Sequence, residues 1–134
     1  MAAPLTLDLQ ITGDVVERQD LLNGTRILTL EGRTADGAWT LAGGLSWNIG
    51  RTGAPAEGDI TLTSADGGEL FATLAAGGVR EAGADGDADF FLAIEYDVDG
   101  GTGEYEAATG WLIAEGALAG DGFRLSLRTV PAAA

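Results

Sequence analysis

The feature that most constrains this chain is an apolar/polar alternation of period two, repeated along its length and broken by glycine-rich turns. Successive side chains of a β-strand point to opposite faces, so each such segment has one face to bury and one for water. Leu5, Leu7, Leu9 and Ile11 alternate with Thr6, Asp8 and Gln10, which predicts a strand over residues 5–12. The same pattern predicts strands over about 25–34, 38–49, 59–64, 69–76, 89–98, 107–116 and 123–130. The third aligns Trp39, Leu41, Leu45, Trp47 and Ile49, and the sixth aligns Phe90, Leu92, Ile94 and Tyr96. Gly43-Gly44 predicts a bulge or bend inside the third. No segment sustains a helical period.

Turn chemistry orders these strands. Ala35-Asp36-Gly37, Ala65-Asp66-Gly67-Gly68 and Ala119-Gly120-Asp121-Gly122 read as tight hairpin turns. Three connections read as long, over residues 13–24, 50–58 and 77–88. In an up-and-down meander, odd and even connections lie at opposite ends. The three long connections are the first, third and fifth, so they gather at one end. The expectation is one domain over residues 1–134, an all-β, eight-stranded antiparallel barrel with a loop-rimmed mouth and a closed base. Eight strands enclose an interior wide enough for packed side chains or one small ligand.

Composition narrows the chemistry. The 134 residues carry a net charge of -14, which disfavours nucleic acid and anionic membrane surfaces as partners. No apolar run reaches the roughly 18 residues of a membrane span. The N-terminus lacks the blocks of a signal peptide, so the expected location is cytoplasmic. There is no Cys and no His, and all 7 basic residues are Arg. Thiolate, imidazole and Schiff-base chemistry are thereby excluded, and no metal or cofactor is expected. Residues 85–89 begin like a calcium loop, but Phe90 and Tyr96 stand where that loop needs Gly and Glu.

The run Asp99-Gly100-Gly101-Thr102-Gly103-Glu104-Tyr105-Glu106-Ala107-Ala108-Thr109-Gly110 resembles a segment of the allene oxide cyclase and dirigent β-barrels. The matching places are Gly100 to Gly103, Tyr105, Ala107 or Ala108, and Gly110, and the likeness covers about the last half of the chain. It implies glycines at a tight reversal and an aromatic ring plugging the barrel base. It also implies apolar substrates in the lumen, steered through intramolecular ring closure, as in bacterial spirotetronate-type cyclases. The chain departs from the plant cyclases in lacking their pocket Cys, and for their first-strand acid it offers Asp14 or Glu17.

The expected function is a cofactor-independent cyclase or isomerase, including [4+2] ring closure, acting on an apolar polyketide-like intermediate. The alternative is a non-catalytic binding barrel, lipocalin-like or dirigent-like. Tyr96, Glu17 and Arg26 are the candidate catalytic residues: a phenol in an apolar lumen, and an Arg needing a carboxylate that Glu17 or Asp14 would supply. Trp39, Leu41, Trp47, Phe90 and Trp111 are the candidate substrate-binding residues. Arg18, Arg51 and Arg80, one in each long connection, would attract an anionic head group. Phe71 and Phe91 fall on faces opposite the apolar rows, which predicts a homodimer or other homo-oligomer.

Overall fold

A computed structural model describes residues 6–49, 56–82 and 88–130. Eight strands follow in chain order: β1 Asp8–Asp20, β2 Thr25–Thr34, β3 Trp39–Asn48, β4 Glu57–Ser64, β5 Glu69–Glu81, β6 Phe90–Gly101, β7 Trp111–Ala119 and β8 Gly122–Val130. Each pairs antiparallel with the next, and β8 pairs back onto β1, closing a barrel in simple up-and-down order. Every strand has a partner on both sides over part of its length, although the β1–β8 ladder stops at Asp14 and the β4–β5 ladder at Thr73. No helix among the described residues is long and apolar enough to cross a membrane.

The inward rows are those the alternation predicts. Ile11, Leu41, Leu62, Leu70, Leu112 and Leu127 are almost inaccessible and fill the base half of the lumen. The base is also stapled by its turns. Asp36 accepts from the Ala38 amide at 3.0 Å and the Thr34 hydroxyl at 2.7 Å, and these two bonds hold its carboxyl below the ordinary range. Ser64 and Asp66 repeat the motif in the next turn of that end, and the Ser64 hydroxyl lowers the Asp66 carboxyl. The β6–β7 connection folds into one 3-10 turn, Gly103–Tyr105, which lays the Tyr105 ring 5.5 Å from Trp39. Thr102 ties this connection to β5, its amide donating to the Glu69 carbonyl at 2.8 Å.

Three expectations are corrected. β1 does not end at Thr12: it runs to Asp20, pairing with β2 to its last residue, so the connection is only residues 21–24. Gly24 turns that corner at φ 90°, a conformation open to glycine. β5 likewise runs past Ala76 to Glu81, and residues 50–55 and 83–87 of the other two long connections lie outside the described residues. Gly43-Gly44 makes no bulge, because β3 keeps register with both neighbours through it. Gly43 instead allows close approach of β4: a Cβ there would lie 2.3 Å from the Asp59 carbonyl oxygen. The register shifts fall elsewhere, between Val15 and Glu17 on β1 and twice along the β5–β6 pair.

Candidate functional site

The site is assembled at the mouth by a change of phase in β1. Val15 stands opposite Leu30 and Glu17 opposite Thr29, so Val16 is an extra residue without a cross-strand partner. Directly paired residues share a face of the sheet. Leu30 is buried and Thr29 exposed, so Val15 faces the lumen and Glu17 faces solvent. The phase then continues with Arg18 opposite Leu28 and Asp20 opposite Arg26. Arg26 is in turn opposite Trp47, which is only 5% exposed. The bulge therefore brings Arg18, Asp20 and Arg26 together on the inner side of the mouth.

Asp20 binds both arginines. Its Oδ1 accepts from Arg26 Nε at 2.8 Å, while its Oδ2 accepts from Arg18 Nη2 at 2.9 Å and Arg18 Nε at 3.2 Å. A longer contact, 3.5 Å, joins Arg26 Nη2 to Oδ2. These bonds, those from Arg26 first, hold the Asp20 carboxyl down at about 2. Arg26 is mostly buried, and its guanidinium lies 5.8 Å from the centre of the Phe90 ring, within cation–π range. Phe90 meets Trp47 edge-on at 5.3 Å. Those two rings come from β6 and β3, which are not sheet neighbours, so their contact crosses the lumen.

Together these residues define an open cleft of about 470 Å³. Its apolar part is Val15, Leu28, Trp47, Phe90 and Leu118. Arg18 and Arg26 stand on the β1–β2 side, and Glu81, Asp89 and Asp121 complete the rim. Asp89 is partly engaged, accepting the Gly120 amide at 2.8 Å. The volume falls in the range of small-molecule sites, and the lining sets apolar chains and two rings beside five charged side chains.

Of the residues singled out from sequence, the structure brings Arg26, Trp47 and Phe90 together here. Trp39 faces inward but at the base, against Tyr105. Leu41 is a core residue, 2% exposed. Tyr96 is buried between Leu74 and Leu112 and does not line the cleft. Burial first, and the Asp59 carboxylate second, push its phenol well above the ordinary value, so it stays protonated. Trp111 is a correction: it is 40% exposed, because the inward phase of β7 belongs to Leu112 and Ala114. Glu17 is a second correction, turned outward by the bulge at Val16; Asp14, opposite Glu31, is exposed as well. Arg18 and Arg80 do not converge. Arg18 is in the cleft, Arg80 stacks on Phe91 at 4.7 Å outside the lumen, and Arg51 lies outside the described residues. Asp20 went unnoticed because residues 13–24 read as a loop. The Asn23-Gly24 pair was the available signal, since such a pair marks a tight hairpin and would have extended β1 to meet β2.

Fold and cleft define a class, a closed β-barrel with a filled base and an amphipathic recess at its mouth. No protein-family model, curated protein or solved structure matches the chain.

Proposed function

We propose that this barrel binds a small, mainly apolar molecule in the cleft at its mouth. The observation that carries the reading is the juxtaposition of a Trp47–Phe90 floor with an Asp20-anchored pair of arginines around about 470 Å³ of open space. Aromatic rings offer large contact area at low entropic cost, and charged groups at the rim fix orientation. The barrel supplies rigidity, since every strand beneath the cleft is paired on both sides.

A second reading is ring closure of a conjugated substrate in the same cleft, as the resemblance of residues 99–110 to allene oxide cyclase and dirigent barrels implies. The mostly buried Arg26 beside the aromatic floor favours it. A cation fixed in a low-dielectric recess stabilises charge that develops on a carbonyl oxygen during cyclisation. Holding a flexible chain in a reactive conformer contributes on the order of 7–11 kcal/mol in well-oriented intramolecular reactions. No general base is needed for such a step, which suits a chain without His, Cys or Lys.

Tryptophan fluorescence titration with linear conjugated polyenes tests both. Saturable quenching at micromolar ligand is the expected result, and its absence with every polyene tried would overturn the binding reading. Mass spectrometry and chromatography of the recovered polyene separate the two: a cyclic isomer of unchanged mass supports catalysis, and unaltered polyene leaves binding alone.

A further inference from the structure

We infer that the molecule held at the mouth carries a single carboxylate, received by Arg18 and Arg26, with its apolar chain lying on Trp47 and Leu118; this rests on the binding reading above. The argument is an accounting of donors. A guanidinium has five N–H groups in a planar fork. Asp20 engages Nε and Nη2 of both arginines, the same edge in each case. Among the described residues, neither Nη1 has a hydrogen-bond acceptor, while no buried side-chain nitrogen or oxygen lacks a partner. The unbonded Nη1 groups are therefore accessible, and both arginines line the cleft. For Arg26 this matters most, because only 15% of its side chain is exposed.

The β1–β2 side of the cleft is locally positive: two cations share one bonded carboxylate there, and Asp121 acts on Arg18 only through space. Arg is the side chain best suited to carboxylate recognition, since its N–H groups match two acceptor oxygens. Three of the four guanidinium contacts fall on Asp20 Oδ2 and the fourth on Oδ1, so the carboxylate is largely committed to the arginines. The rest of the rim sets the limit on charge. Glu81, Asp89 and Asp121 would repel a second anionic group, so the ligand is a monoanion with an uncharged tail.

Cis-parinaric acid and its methyl ester make the test, because they share one fluorescent polyene and differ in one charge. Both are titrated into the full chain at pH 7.5. The acid is expected to bind at least tenfold tighter than the ester. Arg26→Met, which keeps an apolar side chain, is expected to bring the acid-to-ester affinity ratio, measured within that variant, to within twofold of one. Equal affinity of acid and ester for the unmodified chain overturns the inference while the cleft remains a binding site. Survival of the acid preference in Arg26→Met overturns it too. Failure of both probes to bind removes this inference and the binding reading together. Should Arg26→Met lose its cooperative melt, Arg18→Met substitutes for it, since Arg18 is half exposed and outside the packed core. There, at least a threefold loss of acid preference is expected, and no loss overturns the inference.

Discussion

One strand delivers a tryptophan to each end of the barrel. Trp39 and Trp47 both lie on the inward row of β3, and each meets a second aromatic ring at nearly the same separation, 5.5 Å and 5.3 Å. The ends nevertheless differ in kind. At the base the partner is Tyr105, brought by a 3-10 turn that caps the lumen, and the neighbouring Thr34, Asp36, Ser64 and Asp66 bond within their own turns. At the mouth the partner is Phe90 on a strand, no turn covers the pair among the described residues, and the neighbouring arginines retain unbonded donors. Equal aromatic pairs thus lie beneath a capping turn at one end and beside an open cleft at the other. What separates them is whether the adjacent polar groups have met their needs within the chain.

The largest expected effect comes from truncating each tryptophan. Large-to-small changes of Trp in a core cost about 3–5 kcal/mol, and Trp39→Ala and Trp47→Ala should both lower the urea midpoint accordingly, Trp39→Ala toward the low end because it is less buried. Affinity for an apolar polyene should fall at least tenfold in Trp47→Ala and stay within twofold in Trp39→Ala. An equal loss in both would erase the distinction between the ends. Next in size is Leu41→Ala, in the filled half of the lumen. A stability loss of about 2–4 kcal/mol with unchanged polyene affinity is expected, read by the same denaturation and titration. A fall in affinity there would mean that the recess reaches deeper than the Trp47–Phe90 floor.

The smallest effect is on pH. Asp20 holds its carboxyl at about 2 in the folded chain, against about 3.9 when unfolded. Its contribution to stability is therefore complete above about pH 4 to 5 and is lost as pH falls through about 2. The arginine pair stays bridged throughout the neutral range, so affinity for a neutral polyene ester should be flat from pH 5 to 8. Comparing Asp20→Asn with the unmodified chain by urea denaturation sharpens the point: the difference between them should shrink between pH 4 and 2. A difference that is constant across that interval would show that Asp20 does not act through its charge.

Strand count and up-and-down order were legible in the alternation and the glycines, because a half-buried strand must alternate; the first connection was not, since β1 runs on to Asp20. The inward rows followed for the same reason, so Trp47 and Phe90 were found. Arg26 shares a face with Leu28 and Leu30, a placement the sequence leaves open between lumen and solvent; the structure turns it inward, opposite Trp47. Residues 13–24 read as a loop, so no strand phase applies to Glu17 or Asp20, and a period-two reading carried through them loses phase at the extra Val16. Trp111 failed differently: an aromatic was taken for a lumen residue on its size, although the neighbouring Leu112 claims the inward position of β7. Depth was legible only from the turns: Trp39 follows the Ala35-Asp36-Gly37 turn of the base and Trp47 lies at the other end of the strand, while the ring each one meets was not readable.

The unpaired Val16 has a consequence for how this wall tolerates change in length. On either side of it the ladder is complete, with Val15 matched to Leu30 and Glu17 to Thr29. A deletion there joins two segments that already have the correct facing, so Arg18 and Asp20 still look inward. A deletion inside either matched segment turns some side chains to the wrong side of the wall. Length variation in β1 is thus confined by geometry to one position, immediately next to the residues that shape the recess. The strand can change its reach into the mouth at that point while the barrel below it keeps its register.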